Sequence, residues 1–488
     1  MRREPTANVS EPLNILLIAV DTLRAKQLTS YGYDRPTTPA ADALAAEGVL
    51  FEDMVCSGIP THPSFTTLYT GQHPMTHGIV AHGGDAVLDR RAPMLPEILL
   101  RAGWTTCAVD NLGSARPWFQ RGYEFYIDPS RKRSLGLMVT AEQQNARAVE
   151  FLRHQGQEQF FLFVHYWDPH TPYLPPVSHR ELFYDGDAKR ASDPADRSLD
   201  ELWQHPLGKA WRDTWFRSLG GRITDADYVR ALYDASVRYA DDGIARLLDE
   251  LASLGLDERT LVVLMGDHGE CLGEHGVWYD HHGLYEENIH VPFIMRAPGV
   301  LPAGERVERT VRTMDIAPTV LELAGLEAPD EMDGSSMVPL VDPTADTEYG
   351  GSDTVITAEC TWQAKWSIRT PGHKFIRARS IDFYGSPELE LYDRRADPAE
   401  TTDIATTAPD VAEDLEAELE DWIAREVSRL GRTGDPVTEQ GREKFGDRWA
   451  AAEAAFIKAA EVTGAKAAVI SNLYESQPED AARALIAC

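Results

Sequence analysis

The sequence predicts an α/β protein: a large, mostly parallel sheet sandwiched by helices, followed by a smaller antiparallel sheet with a helix. Three observations predict it. Residues 13–20 (LNILLIAV) form a continuous apolar run, the pattern of a central strand buried on both faces. Apolar runs then alternate with helix-like segments as far as Gly325, the rhythm that builds parallel sheets. After about residue 346 the pattern changes to runs of strand formers with no helix between them (TVITAECTWQAKWSIRT, HKFIRAR, LELYD), which reads as an antiparallel sheet.

The elements follow in order. Thr38 can cap a helix that starts at Pro39 and stops at Gly48, and a strand follows at 49–51. Residues 95–102 are helical, Gly103 ends them, and 104–109 is a strand. The pairs 141–154 with 160–166, and 225–254 with 260–265, repeat the unit, with Thr224 as the cap of the long helix. A strand at 291–295 and a helix at 316–324 complete it. Between 178 and 222 the rhythm lapses, and Trp203, Trp211 and Trp215 stand among charged residues; this reads as an insertion over the sheet edge. Residues 411–427 place Val411, Leu415, Leu419, Trp422 and Ile423 on one helical face. The expected organisation is a main α/β unit over 12–345, a smaller α+β unit over 346–430 and an Ala-rich helical tail over 431–488.

Composition narrows the function classes. Hydrophobic residues make up 43%, enough for a large core, and the formal net charge is −31. Such a chain is a poor nucleic-acid binder, because phosphate backbones require basic faces. A small anionic substrate stays open, since a bound metal can supply local positive charge. Cys56, Cys107, Cys271, Cys360 and Cys488 are scattered and form no CxxC pair, which argues against a disulfide scaffold or a thiolate zinc site. The first residues lack the apolar core of a signal peptide, and no apolar run is long enough for a membrane span. The expectation is a cytoplasmic protein without a membrane partner; a homo-oligomer stays open.

Three predicted strand ends carry chemistry. Asp21 follows the first strand, Asp168-Pro169-His170 follows 160–166, and Asp267-His268 follows 260–265. In a parallel sheet these ends share one edge, where ligands gather. Carboxylate with imidazole suits zinc or manganese, and carboxylate-rich shells suit magnesium or calcium. Taken singly, an Asp after a strand is usually a cap or turn residue, and a loop His is usually solvated. The weight rests on several such segments in one order.

That order resembles the sulfatase family of the alkaline phosphatase superfamily, over residues 13–404. The segments are NILLIAVDTLRAKQLTSYGYDRPTTPAADALAAEGVLFEDM, THPSFTTLYTGQHPMTHGI, DPHTPYLPP, GDHGECLGEHGVWYDHHGLYEENIHVPFIMRAPG, TMDIAPTVLELAGL and ELYDRRADPAETTDIA. The resemblance implies a divalent metal, one or two per chain, with Asp21, Asp267 and His268 as ligands. It implies that Thr61 is the nucleophile and touches the metal. His170 and His282 match positions that contact the transferred group or bind a second metal, and Asp168 is a further candidate there. The second acid common after the first strand is replaced by Thr22, which thins the carboxylate shell.

The departure at Thr61 bears most on function. Typical sulfatases carry C-x-P-x-R or S-x-P-x-R, whose Cys or Ser becomes formylglycine; here the stretch reads THPSF. Threonine cannot follow that conversion, the Arg is replaced by Phe65, and Cys56 lies five residues too early. The alternative structural reading of Thr61 is a helix N-cap, and a helix N-terminus also favours an anion. His73 and His77 read as loop residues, while His62 and His275 stand open between loop and supporting roles. The implied activity is hydrolysis of a small anionic ester, a phosphodiester or phosphonate in preference to a sulfate. The alternatives are a sulfatase that works without formylglycine and a binding protein with a degenerate site.

Overall fold

The structure is a computed structural model that describes residues 13–444, apart from 131–138, 187–189, 206–207, 209–210, 212–214, 220–222, 343, 346 and 381–383. The readings made for the first twelve residues and for the tail beyond 444 lie outside the described residues.

In chain order the strands are β1 (Asn14–Val20), β2 (Val49–Val55), β3 (Gly58–Ile59), β4 (Thr105–Val109), β5 (Phe125–Ile127), β6 (Phe160–Tyr166), β7 (Thr260–Gly266) and β8 (Cys271–Leu272). They continue as β9 (Trp278–Asp280), β10 (His290–Arg296), β11 (Glu305–Val307), β12 (Val311–Arg312), β13 (Val355–Cys360), β14 (Ala364–Arg369), β15 (His373–Ala378) and β16 (Leu389–Asp393). The large sheet runs β11-β2-β10-β7-β1-β6-β4-β5, with β12 also on β2. Its centre, β7-β1-β6-β4, is parallel throughout.

The apolar run of β1 follows from this position. Ile15, Leu17 and Ala19 enter the core on one face, and Leu16, Ile18 and Val20 the core on the other. Side chains alternate across a strand, so a strand covered on both sides must be apolar at every position. The helices Thr61–Thr70, Leu95–Arg101 and Ile316–Leu323 cover the first face. Pro39–Glu47, Ala141–Gln155 and Ala226–Ser253 cover the second. The long helix is capped by Asp225, whose side chain accepts from the Asp227 amide, one residue after the expected Thr224.

One strand departs from the parallel pattern. β10 is antiparallel to both β7 and β2, so the sheet is mixed. An apolar run reveals a strand but not its direction. Between β7 and β10 there is no long crossover helix, only the β8–β9 ribbon and the short helix Glu286–Ile289. A parallel return needs such a crossover, whereas an antiparallel neighbour does not.

β13–β16 form an antiparallel meander, and the helix Pro409–Arg429 seals it with Ala412, Leu415, Leu419 and Ile423. β3 adds to this sheet in parallel, pairing Gly58 with Ala358 and Ile59 with Glu359. Two residues of the main unit thus extend the smaller sheet immediately before Thr61. The Trp-rich insertion packs Trp215 edge-on to Tyr173 at 5.0 Å and to Tyr279 of β9 at 5.8 Å.

Candidate active site

Adjacent parallel strands deliver their next residues to one edge. β1 ends at Asp21, β7 at Asp267 and His268, and β4 at Asp110, while β6 contributes His165. Thr61 faces them as the first residue of the helix Thr61–Thr70, whose cap position is Pro60. Its hydroxyl does not cap the helix; Thr61 Oγ1 lies 3.1 Å from His268 Nε2. His268 Nε2 is 3.3 Å from Asp267 Oδ2 and 3.9 Å from Asp21 Oδ1. All four side chains are buried.

The chain supports these groups individually. The amides of Thr22 and His268 donate to Asp267 Oδ1 at 3.1 and 2.8 Å, which orients its other oxygen into the cluster. Thr22 makes its contact from φ +55°, a strained region for a β-branched residue, and its carbonyl oxygen accepts from Tyr233 at 2.6 Å. Gly269 passes against the Glu287 carbonyl oxygen where a Cβ would collide. His268 Nδ1 donates to the Gly269 carbonyl oxygen at 3.0 Å, which leaves the lone pair on Nε2.

The electrostatics call for a cation. Burial and the Asp21 charge push Asp267 well above the usual carboxylate range. Burial works against ionised Asp21 too, but His170, His165 and His268 outweigh it and bring it to about 2. Burial, reinforced by His281, lowers His268 to about 3, so its ring is neutral. Asp21 Oδ1 and Asp267 Oδ2 have no hydrogen-bond partner. Two unpartnered carboxylate oxygens, and an imidazole nitrogen that meets only the Thr61 hydroxyl and Asp267 at hydrogen-bonding range, form with that hydroxyl a set that a divalent ion fits.

Behind Asp21 lies a group that the strand pattern did not single out. His165 bridges Asp21 Oδ2 at 3.2 Å and Asp110 Oδ1 at 2.9 Å. Burial alone would lower it, but these two carboxylates raise it to about 10, so it is an imidazolium. Phe65, at the position of the family arginine, does not face the site. It is fully buried, edge-on to Phe163 at 5.8 Å and to His165 at 4.8 Å. The site's buried cation is therefore on β6 rather than at the position of the family arginine.

The remaining candidates divide. His170 holds the Thr171 carbonyl oxygen through Nδ1 at 2.7 Å, leaving a buried Nε2 without a partner. Its ring lies 5.0 Å from that of His281, which lies 4.7 Å from His268 and 4.8 Å from His282. Asp168 instead accepts from the Ala141 amide at 3.1 Å, at the start of the helix Ala141–Gln155. His282 Nδ1 meets Glu359 Oε1 at 2.8 Å, and the Gly283 amide donates to Glu359 Oε2 at 2.7 Å. Glu359 sits on β13, so the smaller sheet reaches the site. His73 and His77 make structural bonds, to the Ile356 carbonyl oxygen and to Thr67. His62 stacks on His82 at 3.7 Å, and His275 on Tyr285 at 3.7 Å.

The family model described as Sulfatase matches residues 13–326, more than half of the chain. The chain belongs to the sulfatase family. A second model, the C-terminal region of N-sulphoglucosamine sulphohydrolase, matches residues 273–426. The chain is 25% identical over 469 residues to an N-acetylglucosamine-6-O-sulfatase of Bacteroides thetaiotaomicron, covering 80% of this chain and 82% of the relative. Its fold resembles a protein solved in complex with its substrate D-glucosamine-2-N,6-O-disulfate (TM-score 0.69, 21% identity, 86% and 99% of the two chains). It also resembles the phosphonate monoester hydrolase of Agrobacterium radiobacter (TM-score 0.67, 24% identity, 85% and 96%). This is a hydrolase of the sulfatase type, in a superfamily whose members typically bind a divalent metal. Among the described residues no helix is long and apolar enough to cross a membrane.

Proposed function

We propose that this sulfatase-family protein hydrolyses phosphorus esters, a phosphodiester or phosphonate ester above all, through unmodified Thr61. The observation that carries the reading is the Thr61 hydroxyl at the helix start, 3.1 Å from His268 Nε2 and beside Asp21 and Asp267. Asp21, Asp267, His268 and Thr61 would hold the divalent ion, zinc or manganese by their chemistry. A divalent ion there supplies Lewis-acid charge to the attacking hydroxyl and to the ester oxygens.

The protein's own groups do the rest. Helix Thr61–Thr70 fixes Thr61 Oγ1, which would lose its proton to solvent and form a bond to phosphorus as the bond to the leaving oxygen breaks, the leaving oxygen taking up a proton from water. The helix N-terminus favours the anionic ester. His170 and His282 offset charge on the equatorial and leaving oxygens. Water then releases the group from Thr61. His165 and Asp110 hold Asp21 in place from behind.

The preference for phosphorus rests on the nucleophile. A formylglycine hydrate has a second hydroxyl, so its sulfate ester can collapse by C–O cleavage. A threonine ester lacks that exit and must be released by attack on the transferred group. With Phe65 buried in the core, no arginine faces the ester from that position, which favours a singly charged substrate over a dianion. The sulfate reading is favoured by the relative named N-acetylglucosamine-6-O-sulfatase. Comparing kcat/KM for matched aryl sulfate, phosphodiester, phosphonate and phosphate monoester decides between them. A sulfate preference of about tenfold, ~1.4 kcal/mol of transition-state discrimination, overturns the phosphorus reading.

A further inference from the structure

We propose that the cleft between the main unit and the smaller sheet, beside Ser57 and Trp422, binds a ring-bodied, polyhydroxylated monoanion, a sugar acid by chemical class. The site is independent of the proposed function, because none of Asp21, Thr61, Asp267, His268 and His282 lines it.

The first observation is space. The cleft has a volume of about 480 Å³, within the range of small-molecule sites, roughly 300–1,000 Å³. One wall belongs to the main unit and includes Ser57, Arg312 and Asp333. The other comes from the start of β13 and from the helix Pro409–Arg429. Glu418, Trp422, Arg425 and Arg429 of that helix line the cleft, at the spacings of four, three and four residues that place them on one helical face.

The second observation is which charges are spare. Arg312 is engaged by Asp315, with Nη2 2.8 Å from Oδ1 and Nε 3.0 Å from Oδ2. Arg429 is engaged by Glu426 at 2.7 Å and by Asp333 at 3.3 Å, which ties the two walls together. Among the described residues Arg425 and Glu418 have no hydrogen bond or ion pair. The cleft therefore has one free guanidinium and one free carboxylate, about 10 Å apart along the helix axis. Long side chains at that separation reach both ends of one ring. A guanidinium takes a carboxylate in a bidentate pair, and a carboxylate accepts hydroxyl protons. A second negative charge on the ligand would meet Asp333, Glu418 and Glu426 on the same walls, so the fit is to a monoanion.

The third observation is what lies between those charges. Trp422 stands between Glu418 and Arg425 on the helix and is only partly buried. His73 packs edge-on to it at 5.0 Å and Trp366 at 5.9 Å, so the indole is held in place. Both ring nitrogens of His73 are used, by the Met75 amide at 3.1 Å and the Ile356 carbonyl oxygen at 2.9 Å, so this histidine supports the indole. An indole is a flat apolar body, the surface on which the C–H face of a sugar ring rests. On the opposite wall Ser57 Oγ is buried and has no hydrogen-bond partner. A buried polar atom without a partner is an exception that asks for an unseen one, and a ligand hydroxyl supplies it.

The test titrates the full chain, stripped of metal with chelator, with glucuronate, glucose and acetate, and reads binding by calorimetry and tryptophan fluorescence. One glucuronate per chain is expected, held about tenfold or more tighter than glucose or acetate, because it alone engages the arginine, the indole and the serine together. Arg425→Gln, at an exposed position of the helix, is expected to bring glucuronate down to the level of glucose. Ser57→Ala removes only the buried hydroxyl and is expected to weaken glucuronate about two- to tenfold. Asp267→Ala is expected to leave glucuronate binding unchanged. Glucuronate held no tighter than acetate overturns the sugar class, and no saturation below about 10 mM overturns the site. Unchanged affinity in both Arg425→Gln and Ser57→Ala overturns the placement. Binding that Asp267→Ala removes belongs at Thr61 and overturns the inference as well.

Discussion

Two clusters of carboxylate and imidazole sit side by side and are built in opposite ways. Asp21, Asp267 and His268 stand at the ends of neighbouring parallel strands, and their supports, His165 and Asp110, come from the same sheet. Asp280 ends a short ribbon and His281 and His282 follow it, and the supports of Asp280 and His282 come from far along the chain: Tyr384 and Glu359. The sheet makes the first cluster rigid because each of its side chains follows a buried strand within two residues. The second is only as rigid as the docking of the smaller sheet, which β3 and Glu359 secure. The difference teaches that one edge of a sheet can host a site alone, whereas a site on a loop needs a second layer of structure to hold it.

The largest expected effect lies at the point the first cluster serves. Thr61→Ala is expected to lower kcat on the order of a thousandfold or more, with metal content reduced far less than in Asp267→Ala. Intact-mass and peptide spectrometry on the wild type should find an ordinary threonine at 61. A Thr61→Ala enzyme with near-normal kcat would move the nucleophile to water or another residue and leave the first cluster a binding site only.

Next in size is the comparison of the two supports. Asp110→Asn weakens the group behind Asp21, and Glu359→Gln the group behind His282. Outer partners of metal ligands typically contribute about ten- to a hundredfold in affinity or activity. If the clusters are as distinct as their construction, Asp110→Asn lowers metal affinity at Asp21 and Asp267, and Glu359→Gln lowers turnover through His282 with metal affinity spared. Equal loss of metal affinity in both variants would show a single coupled site. A fold-level control is Leu419→Ala in the helix that seals the smaller sheet. It should cost about 2–5 kcal/mol of stability, measured by urea denaturation. It should lower turnover through the Glu359-held His282 before it lowers metal affinity at Asp267.

The same contrast explains what could be read from the sequence. The α/β architecture was legible because β1, β6 and β7 are buried on both faces and read as apolar runs. Asp21 and Asp267-His268 were legible because they end such runs. The direction of β10 was not, since an apolar run carries no sign. β3 was not, since two residues carry no period. His165 was hidden inside a strand, where a histidine reads as an ordinary inward residue, although its place between apolar neighbours was a signal. Glu359 was out of reach, because nothing in TVITAEC says that its carboxylate crosses to residue 282. The family resemblance supplied His282 but not the residue that orients it. Asp168 shows what a strand-end position alone does not tell: one of its carboxylate oxygens accepts from the first amide of the helix Ala141–Gln155.

The smallest expected effect is a pH dependence confined to the first cluster's support. In metal-stripped protein His165 is raised to about 10 by Asp110 and Asp21, against about 6.5 for a free histidine. The rings of Phe65 and Trp167 pack on it at 4.8 and 4.6 Å, and neither contributes charge. The folded state therefore binds more protons than the unfolded state between those two values. The stabilisation is fully present below about pH 6.5 and is lost as pH rises through about 10. A one-proton difference gives a slope on the order of 1.4 kcal/mol per pH unit across that window. Urea midpoints of the chelated protein at pH 7, 8 and 9 should fall with this slope for the wild type and more shallowly for His165→Gln. Comparing the two cancels titrations elsewhere in the chain. Asp110→Asn should sit between them, because it removes one of the two carboxylates that hold the proton. Identical slopes for wild type and His165→Gln would mean that His165 is neutral, that Asp21 lacks a cationic neighbour on β6, and that the arginine lost at Phe65 has no substitute in the first cluster.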